Sequence, residues 1–337
     1  LDPIFPADSI VGLAEDQPTL ATWLQEEGWQ TSLVTSSGIF SPSYPNTNGF
    51  EEAVYLKWRD AGSVVDGALH TIRDLDPTQK WYFHVHFLDP HSPYDPPPEY
   101  QGDLAGRDLG IYDPRKGGME QLKNDWDHLS KKQKEEQKAI LNTLYRGQIQ
   151  YLDHELQRFW EVLQQEGFLD NTLVLLVTDH GEQHFEHGAL EHLQSLYPEE
   201  NRGVAAFWSS SLEPLAWQGP VNHLDLSPTI LETFGVPIPE SIEGSVIGSA
   251  PEDRLRFASG LRQRRPVQSV DRFGIHLVFD WDQQPEMYDL RHDPGETVDL
   301  WSSSSKEATC MFDFLRPMIQ KVDAEKAGGP PRLSAYR

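Results

Sequence analysis

The chain has 337 residues, with 28 Lys and Arg against 53 Asp and Glu, giving a formal net charge of −25. This charge argues against nucleic acid or an anionic membrane as a partner. The single cysteine, Cys310, excludes an internal disulfide framework. No stretch approaches the roughly 18 consecutive apolar residues of a membrane-spanning helix. The length is sufficient for one large α/β domain with a smaller appendage.

Strand and helix patterns alternate through most of the chain. The predicted elements are a helix from Thr19 to Gly28, a strand over Trp29–Thr35, a helix near Gly62–Asp74, a strand over Trp81–Leu88, a polar excursion over Gly102–Leu129, a long helix over Lys131–Glu166, a strand over Thr172–Thr178, a strand over Val204–Trp208 and a helix from Asn222 to Phe234. Strand, helix and strand in this order imply right-handed crossovers. We therefore predict an α/β fold with a central, mostly parallel sheet flanked by helices.

The composition changes after the last of these helices. Short strands such as Arg256–Ser259 and Ile275–Phe279 alternate with turn residues. The sequence predicts a catalytic domain over residues 1–248 and a small C-terminal antiparallel α+β subdomain over 249–300. Residues 301–337 are predicted to form a C-terminal helix and tail.

The strongest chemical signal follows the apolar, β-branched run Thr172–Thr178, which is typical of a strand buried on both faces. Asp179 and His180 come directly after it, and the carboxyl ends of strands are where open α/β sheets bind ligands. A carboxylate beside a neutral imidazole suits a divalent cation. The alternative is a polar turn with a hydrogen-bonded histidine. The site is favoured because the next twelve positions are crowded with further acid and imidazole groups: Glu182, His184, Glu186, His187 and His192.

A second strand also ends in charged residues. Trp81–Leu88 leads into Asp89-Pro90-His91, and the prolines that follow stiffen the loop. We expect this strand end and the one at Asp179–His180 to converge on a shared pocket that can hold a cation. His84 and His86 alternate within the strand and share one face, so a role in the core is favoured for both.

A set of short motifs carries a resemblance to a known family. They are Phe87–Pro97, Tyr151–Asp153, Val177–Glu182, Glu186–Gly188, Ser195–Glu200, Asn222–Leu231 and Met287–Glu296. Together, and in this order, they resemble sulfatases of the alkaline phosphatase superfamily. The resemblance implies hydrolysis of sulfate esters at the carboxyl edge of the sheet. It also implies one divalent metal, usually Ca²⁺, with Mn²⁺ or Mg²⁺ as alternatives.

The resemblance also implies roles for single residues. Asp179 and His180 match metal ligands, and His91 matches a histidine that faces the sulfate group. His187 and His192 match positions that hydrogen-bond or protonate the ester oxygens, and an imidazole is suited to general acid catalysis near neutral pH. Spacing does not decide which of the two is the acid. His223 opens a helix and is interpreted either as a cap or as a substrate-binding residue.

The chain departs from the family at its beginning. Sulfatases open with a strand ending in Asp, followed by a nucleophile in a C/S-x-P-x-R motif or an unmodified Ser or Thr, and neither is present here. Cys310 is not in such a motif and is interpreted as a small apolar residue. We expect an incomplete copy that lacks the N-terminal strand and the nucleophile helix. The alternative is a truncated, non-catalytic homologue that retains the fold.

The expected partner is an anionic ester, either a sulfated carbohydrate or an aryl or alkyl sulfate. A phosphodiester or phosphonate monoester is the alternative substrate class, because Asp and His at a metal suit that chemistry as well.

Overall fold

A computed structural model describes residues 13–301, with gaps at 15, 43, 45, 214–215, 220, 252–253, 263–264 and 281–283. Cys310 and the predicted C-terminal helix lie outside the described residues. The chain divides into two compact units, the first comprising Leu1–Val174, Trp208–Leu212 and Ile230–Glu240, and the second Leu175–Phe207, Glu213–Thr229 and Ser241–Arg337. The predicted domain boundaries at residues 248 and 300 stay predictions.

The first unit contains a three-stranded parallel sheet in the order β2-β1-β3. Its strands are β1 (Gln30–Thr35), β2 (Glu52–Tyr55) and β3 (Trp81–His86). Helix α1 (Leu20–Glu26) precedes β1, and helix α2 (Ala61–Arg73) joins β2 to β3. The central strand β1 is buried on both faces, as the fully buried Leu33 and Val34 show. The predicted parallel sheet with flanking helices is confirmed. Strand β2 was not predicted, because its four residues are too few to show a clear strand pattern.

The long helix of the first unit, α4 (Lys131–Gln165), is confirmed almost residue for residue. Ser130 caps its N-terminus in a capping box with Gln133. The apolar face buries Leu141, Leu144 and Leu163, and Leu163 packs with Ile72 of α2 in one core cluster.

The segment before α4 is more ordered than the predicted polar excursion. It contains helix α3 (Met119–Asp125), with Met119 and Leu122 buried. Asp113 is fully buried and pairs with Arg115 at 2.7 Å, and Arg115 also donates to the Leu104 and Arg107 carbonyls. A buried carboxylate needs such partners. The ion pair therefore organises a segment whose composition indicates only a loop.

The second unit contains three separate sets of strands. Strand β4 (Val174–Val177) pairs with β7 (Ala205–Trp208), and β5 (Gln183–His184) forms a short antiparallel hairpin with β6 (Leu190–Glu191). The C-terminal part is a four-stranded antiparallel sheet in the order β11-β10-β9-β8, made of β8 (Arg256–Arg262), β9 (Arg265–Arg272), β10 (Ile275–Asp280) and β11 (Glu286–Asp289). Val270, Leu277, Phe279 and Met287 form its core.

The remaining helices among the described residues are short. Helix α5 (Pro198–Asn201) lies between β6 and β7, and helix α6 (Leu226–Thr233) follows a single 3₁₀ turn at His223–Asp225. Among the described residues, no helix combines the length and the hydropathy that a membrane span requires.

The prediction that β4 is buried on both faces is wrong. Leu176 is 51% exposed and Val177 is 41% exposed, and successive strand residues point to opposite faces. Within the part of the chain that the structure describes, β4 pairs only with β7. The apolar run therefore indicates that this segment prefers to be buried. How many neighbouring strands and helices cover it is decided by the tertiary structure.

Strand β3 carries an aromatic and imidazole row on one face. Tyr82 Oη lies 3.2 Å from His84 Nδ1, and Phe40 and Phe50 flank the His84 ring. Burial, together with the charge of the neighbouring His86, lowers the pKa of His84 to about 4. These contacts agree with the predicted core role of His84.

This burial predicts an acid-dependent loss of stability. Because the unfolded ring titrates near 6.5 and the folded ring near 4, only the unfolded state takes up the proton between these values. Stability is therefore lost as the pH falls from 6.5 to 4, by a total on the order of 3 kcal/mol.

We expect His84→Phe to remove this loss while keeping a ring between Phe40 and Phe50. The measurement is the free energy of unfolding in urea between pH 4 and 7. His70→Gln, at an exposed position, is the matched control. It should leave the pH dependence of the unfolding free energy unchanged. Parallel curves for the parent chain and His84→Phe would contradict the assignment.

Candidate active site

The end of β4 presents Asp179 and His180 in a fixed arrangement. The backbone N–H of Thr178 donates to the Val204 carbonyl, and the N–H of Val204 donates back to Thr178 Oγ1, so the strand end is held against β7. His180 Nδ1 lies 2.7 Å from the Gly181 carbonyl. Because a carbonyl only accepts, Nδ1 carries the proton and the neutral ring presents the lone pair of Nε2.

These two side chains fit part of a metal site. His180 Nε2 and Asp179 Oδ2 lie 3.6 Å apart, and the Asp179 side chain is 78% exposed. One cation at about 2.0–2.5 Å from each atom would span this separation. In the described ranges no group of three or more His, Cys, Asp or Glu side chains could hold a metal. The assignment of Asp179 and His180 as metal ligands stays a prediction.

His192 lies against His180. The two ring centroids are 4.1 Å apart, with an interplanar angle of 35°. His192 Nδ1 lies 3.0 Å from Oε1 of Glu182, whose side chain is only 5% exposed. The carboxylate accepts the Nδ1 proton, so proton exchange with a substrate would use Nε2.

The surroundings of His192 favour its protonated form. Burial of the ring lowers the pKa of His192, but the hydrogen bond and charge of Glu182, with the charges of Glu191 and Asp179, outweigh burial and raise it above the ordinary value. A protonated imidazole beside Asp179 and His180 is the arrangement that general acid catalysis requires.

His187 is placed differently. Its ring stacks on Tyr197 with centroids 3.9 Å apart. Nδ1 lies 3.2 Å from Glu199 Oε2, and Nε2 lies 3.2 Å from the Glu296 carbonyl. Both partners are acceptors, so each ring nitrogen faces a group of the protein, and the two nitrogens donate together only when the ring is protonated. Between the two histidines that the sequence left open, these contacts favour His192 as the acid and His187 as a structural tie.

His223 supports the strand end. Its Nε2 lies 2.8 Å from the Thr178 carbonyl, one residue before Asp179. The cap of the 3₁₀ turn is Asn222, whose side chain accepts from the Leu224 N–H. A Cβ on Gly203 would lie 3.0 Å from the His223 ring, so glycine gives the ring room. Only the Nδ1 edge of His223 is oriented for a substrate contact, and the predicted substrate-binding role stays a prediction.

His91 belongs to the first unit and lies in the loop after β3. Its ring Nδ1 lies 2.6 Å from the Ser92 carbonyl, and its backbone N–H donates to the Leu88 carbonyl. Because Nδ1 donates, the ring donates from Nε2 to a sulfate oxygen only when it is protonated. Burial, together with the charge of Asp60, raises the pKa of neighbouring Asp89 to about 6. The predicted convergence of this strand end with Asp179–His180 stays a prediction.

A family model for sulfatases matches residues 3–236. The chain belongs to the sulfatase family. This agrees with the order of the motifs, and the α/β fold with a parallel sheet is that of the alkaline phosphatase superfamily. Sulfatases are hydrolases and generally use a divalent metal.

Curated relatives of this sulfatase chain are distant in sequence. It is 26% identical over 320 residues to an arylsulfatase of Clostridium perfringens, covering 83% of this chain and 60% of that protein. It is 21% identical over 393 residues to an N-acetylglucosamine-6-O-sulfatase of Bacteroides thetaiotaomicron, covering 86% of this chain and 69% of that protein. The chain thus spans about three-fifths of the length of the first relative.

Solved structures share the sulfatase fold. One, solved in complex with its substrate D-glucosamine-2-N,6-O-disulfate, gives a TM-score of 0.75 at 16% identity, covering 96% of this chain and 85% of that one. A phosphonate monoester hydrolase from Silicibacter pomeroyi gives 0.67 at 18% identity, covering 93% and 81%.

One residue of the candidate site was not assigned a role from the sequence. Glu200 is 4% exposed, and burial raises the pKa of its carboxyl group, although hydrogen bonds from Gln194 and Ser195 oppose this shift. Gln183 also donates a hydrogen bond to the carboxylate. It lies within the Ser195–Glu200 motif, which indicated the family but no role for this carboxylate. From the sequence, a glutamate in a short polar helix is expected to be exposed to solvent. Only the tertiary structure shows that Glu200 is buried.

Proposed function

We propose that this chain forms part of a metal-dependent sulfate ester hydrolase. In this proposal Asp179 and His180 hold the metal, His192 is the general acid, and His91 and His223 bind the substrate. The observation that carries it is the arrangement within the second unit, where the His192–Glu182 pair lies against His180.

The charges of the chain support the need for a cation. A net charge of −25 disfavours the approach of an anionic ester. A divalent cation at Asp179 and His180 would offset this and would stabilise the negative charge that develops on the sulfate oxygens. His180 Nε2 and Asp179 Oδ2 are the atoms that would hold it. Ca²⁺ is the proposed ion, with Mn²⁺ or Mg²⁺ as alternatives.

His192 would act on the leaving-group oxygen. Cleavage of the ester places negative charge on that oxygen, and proton donation from Nε2 of the imidazolium neutralises it. Glu182 holds Nδ1, fixes the ring orientation and stabilises the charged form. His187 would not compete for this role, since its two ring nitrogens already contact Glu199 and the Glu296 carbonyl.

The metal assignment predicts a loss of affinity in one variant. Asp179→Asn removes the anionic ligand and is expected to weaken Ca²⁺ or Mn²⁺ binding at least about tenfold, because affinity follows the charge of the ligand set. Isothermal titration of each cation into this chain measures the effect. Asp127→Asn removes an exposed carboxylate elsewhere and should leave the affinity unchanged. Equal affinities in the parent chain and Asp179→Asn would contradict the assignment.

The relatives suggest the substrate class. An arylsulfatase and an N-acetylglucosamine-6-O-sulfatase are among them, and one structural neighbour holds a disulfated glucosamine. We propose a sulfated carbohydrate or an aryl or alkyl sulfate. Assay of the complete gene product on aryl sulfate esters, with sulfate release as the measurement, tests this reaction.

A phosphonate or phosphodiester substrate is the second candidate. It is favoured by the phosphonate monoester hydrolase of Silicibacter pomeroyi among the structural neighbours. Parallel assays on aryl sulfate, aryl phosphodiester and aryl phosphonate esters separate the two candidates by the ratio of kcat/KM. Absence of turnover on all three, combined with no cation binding, would support the third reading, a non-catalytic homologue.

A further inference from the structure

The backbone on both sides of His192 is left-handed. Glu191 has φ +67° and Leu193 has φ +63°. Residues other than glycine rarely adopt this conformation, because Cβ then lies close to the following carbonyl oxygen. Leu193 is 47% exposed, so burial of its side chain does not account for the conformation. Tertiary contacts must hold this segment, and strained backbone that is held in this way is a reason to look for function.

Glu200 makes those contacts. Its Oε1 accepts from Gln183 Nε2 at 2.9 Å and from Ser195 Oγ at 2.8 Å. Its Oε2 accepts from the backbone N–H groups of Gln194 at 3.0 Å and Ser195 at 3.1 Å. The carboxylate therefore joins both ends of the segment over residues 183–195, which we term the histidine loop. A buried carboxylate with all four acceptor positions used is rigidly placed.

The same residue also holds the other side of the site. The Glu200 carbonyl accepts from the Gly181 N–H at 2.8 Å, next to His180. On the loop side, Gln194 Nε2 donates to the His192 carbonyl at 3.3 Å. The backbone of Glu200 thus fixes the segment that follows His180, while its side chain fixes the segment that follows His192.

From these contacts we infer that Glu200 is a positioning residue, which sets the His192 ring against the His180 ring by clamping the histidine loop to helix α5. It acts through Gln194, Ser195 and Gly181 and touches no substrate itself. The inference rests on the proposed function only for the consequence in catalysis. The placement of His192 can be measured without turnover.

The direct test is Glu200→Gln. A glutamine side chain has one acceptor oxygen and one donor nitrogen, so it cannot accept from all four donors of the loop. We expect the ring-proton NMR signals of His192 and His180, which each ring shifts in the other because the ring centroids lie 4.1 Å apart, to move toward the values of isolated imidazoles. Because this variant can lose its fold, Ser195→Ala is the second variant. It removes only one of the four hydrogen bonds to the Glu200 carboxylate, together with those that Ser195 Oγ accepts from Gln183 Nε2 and the Tyr197 N–H. It should move the same signals in the same direction by a smaller amount.

Asp113→Asn is the matched control. Asp113 is also a buried carboxylate with several partners, but it lies in the first unit and outside the histidine loop. It should lower the urea midpoint and leave the His180 and His192 signals in place. Unchanged signals in both loop variants, or equal shifts in Asp113→Asn, would overturn the inference.

Enzymatic activity is the second measurement. In the complete gene product, a misplaced general acid predicts a fall in kcat of about 10- to 100-fold for Glu200→Gln, with little change in KM. If the parent protein hydrolyses no sulfate ester while the ring signals move as expected, the positioning role stands and the proposed function fails. If the signals and kcat both stay at their parent values, the positioning role fails and the proposed function is untouched.

Discussion

Replacing His192 with glutamine is expected to lower kcat for aryl sulfate hydrolysis by the complete gene product by about 10²- to 10⁴-fold, the usual contribution of a general acid. KM should change much less, because the group acts on charge that develops in the transition state. The measurement is steady-state release of the aryl alcohol as a function of substrate concentration.

The direction in which kcat changes with pH is a further prediction of this assignment. The active form of His192 is the imidazolium, and the surroundings raise its pKa above the ordinary value. Activity should therefore persist at neutral pH and fall as the pH rises through that raised value. Glu182→Gln removes the first of the groups that raise the pKa, so the decline should begin at lower pH. In His192→Gln this alkaline decline should be absent.

His187→Gln is the control for the acid assignment. His187 lies against Tyr197, and its ring nitrogens contact Glu199 and the Glu296 carbonyl, so its loss should weaken the fold. We expect a lower urea midpoint and a smaller fall in kcat than in His192→Gln. A loss of kcat confined to His187→Gln, with His192→Gln near parent activity, would show that the two roles are reversed.

The largest effect on stability is expected from Gly181→Ala. A Cβ at this position would lie 2.1 Å from the Glu199 carbonyl oxygen and 3.3 Å from that of Arg202. Both atoms are backbone, so no side chain can rotate away. The Gly181 N–H also donates to the Glu200 carbonyl, so relief of the clash would break the contact that joins this segment to α5.

We expect Gly181→Ala to destabilise the fold by about 2–4 kcal/mol, at the upper end for overpacking. Urea unfolding followed by tryptophan fluorescence measures it. Gly295→Ala is the matched control, since the nearest atom to its Cβ is the end of the Thr297 side chain at 3.8 Å. A midpoint for Gly181→Ala equal to that of Gly295→Ala would mean that the segments do not approach as described.

The sequence by itself determined the fold class and the position of Asp179 and His180 at the end of a strand. Apolar strand patterns alternate with helical patterns such as the periodic apolar face of α4, and both kinds of pattern are local in the sequence. They predict a parallel sheet flanked by helices, because parallel strands are joined by crossover helices. The polar residues that follow an apolar strand are equally local, and they place Asp179 and His180 at the strand end. The order of short motifs was enough to indicate the sulfatase family.

Only the tertiary structure shows that His187 and His192 have different contacts. His187 and His192 have the same chemistry and lie five positions apart, so no local pattern distinguishes them. The Glu296 carbonyl that contacts His187 is 109 residues away in the sequence, whereas Glu182, the partner of His192, is only 10 residues away. The exposure of Leu176 and the burial of Glu200 have the same cause. Burial depends on which neighbours the whole fold brings to a residue, and those neighbours are set by contacts between distant parts of the chain.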